Sequence, residues 1–238
     1  MRFDIVTLFP EMFRDFLSTS LVGRAVSGGL LSVRLRSPRD FGVGKHRNVD
    51  DAPYGGGSGM VMRVDVLVAA MESLDADAPD GLCAHRILLT PQGHVLDQRR
   101  AQSLAQRSAV MLVCGRYEGF DDRVRRHVTE EVSLGDFVLA GGEVAAMAIV
   151  EACGRLLPGV LGNESSVVSE SHSPAIDGLL EYPQFTRPAE FRGARVPEVL
   201  QGGNHGEIAR WRRERAIERT SNMRPDLWER YRRSRSEP

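Results

Sequence analysis

Ala109-Val-Met-Leu-Val-Cys114 is a run of six apolar residues closed by Gly115. A strand that is apolar on both faces belongs inside a sheet covered on both sides, and parallel sheets are built that way. The surrounding sequence fits that setting. Residues 3–9 read as a short strand stopped by Pro10, which can open a helix over residues 11–17. Residues 21–26 read as a second short helix ended by Gly28-Gly29, and 30–35 alternate as a strand. Further on come a helix (64–74), a linker (75–81), a strand (86–90), a polar-faced helix (97–106), a strand (128–133) and an apolar-faced helix (143–157). Strands alternating with helices predict an α/β fold with a mainly parallel sheet. No internal repeat is present.

The 238 residues give room for one large domain with a small appendage. The expected division is a body over 1–160, a linker over 161–175 and a tail over 176–238. Residues 162–174 are rich in Ser, contain one Gly and are poor in apolar residues, and so read as a mobile linker. Charge falls along the same division. The whole chain carries 31 cations against 32 acids. Residues 187–238 hold 13 arginines against 8 acids, a balance of +5, and residues 1–186 hold 18 cations against 24 acids, a balance of −6. A near-neutral total would argue against a nucleic-acid partner, but a basic tail argues for one. Residues 204–220 and 225–233 read as Arg-rich helices in that tail.

Cys83, Cys114 and Cys153 are odd in number and form no C-x-x-C pair, which predicts reduced thiols, no zinc site and a cytoplasmic setting. Cys114 and Cys153 sit in apolar runs and read as packing residues. There is neither a signal-peptide core near Met1 nor a stretch long enough to span a membrane.

Three Gly-bearing loops follow strands of the body: Thr90-Pro91-Gln92-Gly93, Gly115 to Gly119, and Leu134 to Gly142. In open parallel sheets ligands sit beyond the carboxyl ends of the strands. Glycines let backbone approach a ligand and present free N–H and C=O groups to it. Each loop alone is equally well a tight turn; together they describe a pocket. The phosphate-binding fingerprints are missing, because Gly55-Gly56-Gly57-Ser58-Gly59 lacks a following Lys-Ser/Thr and no strand leads into G-x-G-x-x-G. Residues 40–59 have almost no apolar periodicity and read as a long polar loop. Its His46, Arg47, Asp50 and Tyr54 suit contacts to phosphates and base edges.

Several segments resemble the bacterial tRNA (guanine-37-N1)-methyltransferases. They are Asp50-Asp-Ala-Pro-Tyr-Gly-Gly-Gly-Ser-Gly-Met60, Cys114-Gly-Arg-Tyr-Glu-Gly119, Leu134-Gly-Asp-Phe-Val-Leu139 with Gly141-Gly142-Glu143, Pro158-Gly-Val-Leu-Gly-Asn163, and Tyr182-Pro-Gln-Phe-Thr-Arg-Pro188. The match runs in order along nearly the whole chain. It implies a SPOUT-type α/β domain with a parallel sheet and a deep trefoil knot, followed by a small C-terminal helical domain. It implies a homodimer with active sites at the interface.

It also implies S-adenosylmethionine held by the three loops. The first loop would offer Leu88, Leu89, Thr90, Pro91 and Gly93, and the second Gly115, Tyr117, Glu118 and Gly119. The third would offer Leu134, Gly135, Asp136, Phe137, Val138, Leu139, Gly141 and Gly142. The substrate implied is tRNA with G at position 37, and a role for magnesium stays open.

Arg155 would be the cation that stabilises charge on the guanine; in its ordinary role it is a helix-terminal Arg. The family's general base is an Asp followed by Ser and then an aromatic residue or His. Here Glu170 stands before Ser171-His172, with Asp177 as the second candidate. Leaving the base in a linker fits an induced-fit step, so residues 165–173 are expected to be poorly ordered without RNA. Asn204, His205 and Arg212 are the expected tail contacts to RNA.

Overall fold

Residues 1–162 and 169–236 are described in the computed structural model. The chain forms two compact units, Met1–Gly162 and Asn163–Pro238.

The first unit is built on five parallel strands. They are β1 (Arg2–Val6), β2 (Ser32–Arg36), β5 (His85–Val95), β6 (Ala109–Cys114) and β7 (Glu130–Ser133), in the spatial order β2-β1-β6-β5-β7. β6 is buried along its whole length, as its apolar run requires. Successive side chains of a strand point to opposite faces. Val110, Leu112 and Cys114 therefore join one core with Phe3, Ile5 and Ile87, while Met111 and Val113 join another with Val6 and Leu88.

Helices cover both faces. α2 (Ser20–Ser27), α4 (Gln98–Ala105) and α5 (Glu143–Gly154) bury Val22, Ala25, Ala101, Leu104, Ala146, Ile149, Val150 and Cys153 in the first core. α3 (Val64–Ala76) buries Val66, Leu67, Ala70, Met71 and Leu74 in the second. Each large apolar side chain buried in this way contributes about 1.5–3 kcal/mol. The opening helix comes in two pieces, a 3-10 turn Pro10–Phe13 and α1 (Arg14–Ser18).

Three expectations change. The strand expected over 86–90 continues to Val95 after a break in register: Leu89 and His94 both pair with Val132, so Thr90–Gly93 bulges out of the sheet. α5 stops at Gly154, not 157, because the residue before Pro158 is biased away from helix and the chain turns there through Leu156 N–H to Cys153 O. The loop expected over 40–59 carries structure. A 3-10 turn covers Pro38–Phe41, Val43 bridges Asn48, and β3 (Asp50–Asp51) pairs antiparallel with β4 (Val61–Met62).

In the second unit Leu179, Ala216 and Tyr231 form a small core with Ile217 and Trp228. The helices run His205–Met223 and Pro225–Ser236. A hairpin that the sequence reading did not anticipate pairs Glu190–Phe191 with Ala194–Arg195, turning through Arg192 and Gly193 at positive φ. The short helix Glu198–Gln201 was also not anticipated. Within the mobile stretch expected over 165–173, residues 165–168 lie outside the described residues. No described helix is long and apolar enough to cross a membrane.

Candidate active site

β6, β5 and β7 are neighbours, so the loops at their carboxyl ends meet. Together they line one cavity of about 340 Å³. That volume lies in the range of small-molecule sites. Leu88, Leu89, Thr90 and Pro91 come from β5 and its bulge, and Gly115, Tyr117, Glu118 and Gly119 follow β6. Leu134, Phe137, Val138, Leu139, Gly141 and Gly142 follow β7.

Three of the expected cofactor residues do not line the cavity. A Cβ on Gly93 would strike the backbone at Val132, so this glycine lets the bulge pack on β7. Gly135 sits in a turn where its N–H and C=O both bond the Ser133 hydroxyl. Asp136 is exposed beside that turn. The cavity also takes in Phe120, Arg125, Val132, Ser133 and Ala145, which the sequence reading did not select. Val132, Ser133 and Ala145 adjoin the third loop in sequence and were within reach of it. Arg125 gave no cue, being one cation in the polar run Asp122–His127. Its guanidinium bonds Asp122 at 2.7 Å, and also Glu131 and Gln92, which clamps the bulged loop to β7.

The walls are set by close backbone contact. A Cβ on Gly142 would come 2.7 Å from Cys114 Cα, and one on Gly115 would lie 2.5 Å from the Phe120 ring. Tyr117 adopts positive φ (61°), a conformation an L side chain holds only under constraint, and its ring is half exposed at the cavity. Arg116 also lines the cavity, and its Nη2 lies 2.9 Å from Glu143. Beneath the cavity the Cys114 thiol is buried. Burial first, and then the Glu143 carboxylate, hold it well above its usual pKa.

The polar hairpin joins this site through backbone. Glu118 N–H donates to Met60 O at 3.0 Å, Met62 N–H to Gly119 O at 2.9 Å and Asp121 N–H to Met62 O at 3.0 Å. Tyr54 is exposed in the turn of that hairpin and Asp50 pairs with Met62 in its ladder, while His46 and Arg47 are exposed in the preceding turn bridged by Val43 and Asn48. Of these four, Asp50 is tied to the second loop through its pairing with Met62. Arg155 caps the C-terminus of α5, with its N–H on Glu151 O.

The remaining candidates lie in the second unit. Asp177 is at positive φ (56°), and its Oδ2 accepts from Arg213 and lies 3.7 Å from Arg235. Glu170 O accepts from Ser173 N–H at 3.1 Å, closing the turn that carries Ser171 and His172. Asn204 caps the helix His205–Met223, accepting from Gly206 and Glu207 N–H, so its side chain has a structural task as well. His205 is exposed at the start of that helix, and Arg212 lies 4.7 Å over the Tyr182 ring. Among the described residues no group of three or more His, Cys, Asp or Glu is placed to hold a metal ion.

A parallel sheet with a glycine-walled cavity at the carboxyl ends of three adjacent strands places the chain among α/β proteins with a ligand cleft at the strand ends. The family model described as tRNA (Guanine-1)-methyltransferase TrmD matches residues 1–230. A tRNA (guanine-N(1)-)-methyltransferase of Sorangium cellulosum is 61% identical over 98% of this chain and 95% of its own length. Proteins of the same description from Geobacter metallireducens (53% identical, 96% of this chain and 91% of theirs) and Gloeobacter violaceus (54%, 95% and 98%) are also similar. The chain belongs to the tRNA (guanine-1)-methyltransferase family.

Proposed function

We propose that this methyltransferase moves a methyl group from S-adenosylmethionine to N1 of guanosine 37 in tRNA, beside the anticodon. The observation that carries the reading is the single cavity shared by the three loops. The residues present fit the cofactor. Backbone at Gly115, Gly119, Gly141 and Gly142 can meet an adenine edge, Leu88, Leu89 and Leu139 offer apolar walls, and the Glu118 carboxylate suits a cationic ligand. When bound, S-adenosylmethionine supplies a methyl group on a positively charged sulfur.

Everything else falls to the chain. Neutral guanine carries a proton on N1, which makes that nitrogen a poor nucleophile. Glu170, which stands before Ser171-His172, takes that proton as general base, with Asp177 the second candidate. Arg155 stabilises the negative charge that then builds on the guanine O6. His46, Arg47, Asp50 and Tyr54 hold the anticodon-loop nucleotides near the second loop, and Asn204, His205 and Arg212 contact the RNA backbone.

The 1–160 body is the cofactor domain, 161–175 the lid and 176–238 the tRNA-binding domain. The deep knot is supported by connectivity. β7 lies outside β5, yet the loop after it returns to bond Gly115, and α5 then packs on the core shared with β6. A homodimer is supported by exposed Phe137, Val138, Leu139 and Val144 beside the cavity. A tRNA substrate and three free thiols support a cytoplasmic setting.

Incubation with methyl-labelled S-adenosylmethionine and tRNA transcripts differing at positions 36 and 37 tests the reading. Label on the base of G37 alone is expected. Label on a ribose 2′-oxygen would mark a different RNA methyltransferase, and RNA binding without label would mark a non-catalytic protein.

A further inference from the structure

Glu143 is a carboxylate at 1% exposure that the proposed chemistry does not use. Burying a charge costs free energy unless it is paired and hydrogen-bonded, and here both oxygens are engaged. Oε1 accepts from the Thr7 hydroxyl at 2.9 Å, and the same hydroxyl oxygen accepts from Phe9 N–H at 3.0 Å. Oε2 accepts from Arg116 Nε at 3.0 Å and lies 2.9 Å from its Nη2. Glu143 is also the first residue of α5, where the helix dipole favours a negative charge. One carboxylate thus ties together the turn after β1, the loop after β6 and the start of α5.

The group it holds is Arg116, whose guanidinium lies 4.5 Å over the Phe9 ring. Its Nη1 reaches Ala140 O at 3.4 Å. Gly141 also packs against it: a Cβ there would come 2.5 Å from Arg116 Cδ. Arg116, Ala140, Gly141 and Gly142 all line the cavity, and Glu143 does not. We infer that Glu143 is a positioning residue: by fixing Arg116 against Phe9 and Gly141 it keeps the wall between the second and third loops in the shape that binds S-adenosylmethionine. The inference rests on the cofactor reading above. Without the buried charge the wall samples other shapes, and apparent affinity falls by the fraction of time it is competent.

The test is calorimetric titration of S-adenosylhomocysteine into the wild type, Glu143→Gln, the milder Thr7→Val, and the double variant Arg116→Met with Glu143→Leu, with thermal melts and steady-state kinetics on each. If Glu143→Gln holds the wall about a tenth of the time, its Kd and its KM for S-adenosylmethionine rise about tenfold. The KM for tRNA and kcat at saturating cofactor stay near wild type. Thr7→Val shows a smaller rise in the same direction. Apolar replacement of both partners restores the melting temperature, yet the double variant keeps the raised Kd. Variants that melt early but bind the ligand like wild type overturn the inference, as does a double variant that regains both stability and affinity. A wild type that does not bind S-adenosylhomocysteine overturns the cofactor reading itself, and this inference with it.

Discussion

The amide of Gly142 donates to the carbonyl of Gly115 at 2.9 Å, which stitches the loop after β7 to the loop after β6. A side chain at Gly142 would meet Cys114 Cα at 2.7 Å and Gly115 N at 3.0 Å, and both are backbone atoms that cannot swing aside. Gly142→Ala is expected to cost about 1–3 kcal/mol of stability by overpacking. It is also expected to abolish measurable binding of S-adenosylhomocysteine at concentrations that saturate the wild type. Denaturant unfolding and titration calorimetry read the two effects separately.

The two carboxylates proposed for proton removal should behave differently. Glu170→Gln is expected to lower kcat by about 10²–10⁴ while leaving cofactor affinity unchanged. Asp177→Asn removes the ion-pair partner of Arg213 and should lower the stability of the second unit more than it lowers kcat. Single-turnover kinetics on both variants decide the matter. Near-normal turnover in Glu170→Gln with loss in Asp177→Asn would move the base to Asp177.

Arginines of the helix His205–Met223 divide by what they already touch. Arg213 bonds Asp177 and the Tyr231 hydroxyl, whereas Arg212 is exposed over Tyr182. Replacing Arg212 by Ala should flatten the plot of log affinity for tRNA against log salt by roughly 0.7–0.9, the value of one phosphate contact. Arg213→Ala should leave that slope alone and lower the melting temperature.

Asp4 is fully buried in β1, 3.1 Å from Arg2 and 2.6 Å from Arg34, and none of the three lines the cavity. Asp4→Asn removes the buried charge that both guanidinium groups share, though Arg2 keeps Asp80 and Leu82 O and Arg34 keeps Leu74 O and Asp77 O, and it is expected to cost about 1–3 kcal/mol in urea unfolding. Cofactor affinity of the folded fraction should be unchanged.

Of the three cysteines only Cys83 is exposed, so one thiol should react in the native protein at pH 8 and three after denaturation. Burial raises Cys153 from 9.0 to about 12. A folded value above the unfolded one means its contribution to stability is complete below pH 9 and fades as pH rises toward 12. Alkylation of Cys153 should therefore track unfolding and not thiolate formation.

Much of the first unit was legible because its signals are local. The apolar run of β6 placed the centre of the sheet, and glycines after three strands marked the cavity. What escaped depends on long-range contact. The bulge at Thr90–Gly93 exists because Leu89 and His94 share Val132 as partner, and no local pattern encodes that. Arg125 is one cation among several in its segment, and its role appears only once Gln92 and Glu131 are brought to it. The link from Thr7 to Glu143 spans 136 residues. The hairpin at Glu190–Arg195 is exposed and two residues per strand, too short to show an alternation.

The central claim is that the loops after β5, β6 and β7 hold the methyl donor. A crystal structure of the protein grown with S-adenosylhomocysteine tests it most directly. The expected result is ligand density enclosed by Leu88–Pro91, Gly115–Gly119 and Leu134–Gly142, with the adenine edge against main chain. Density elsewhere on the molecule, with this cavity empty at saturating ligand, would contradict the account.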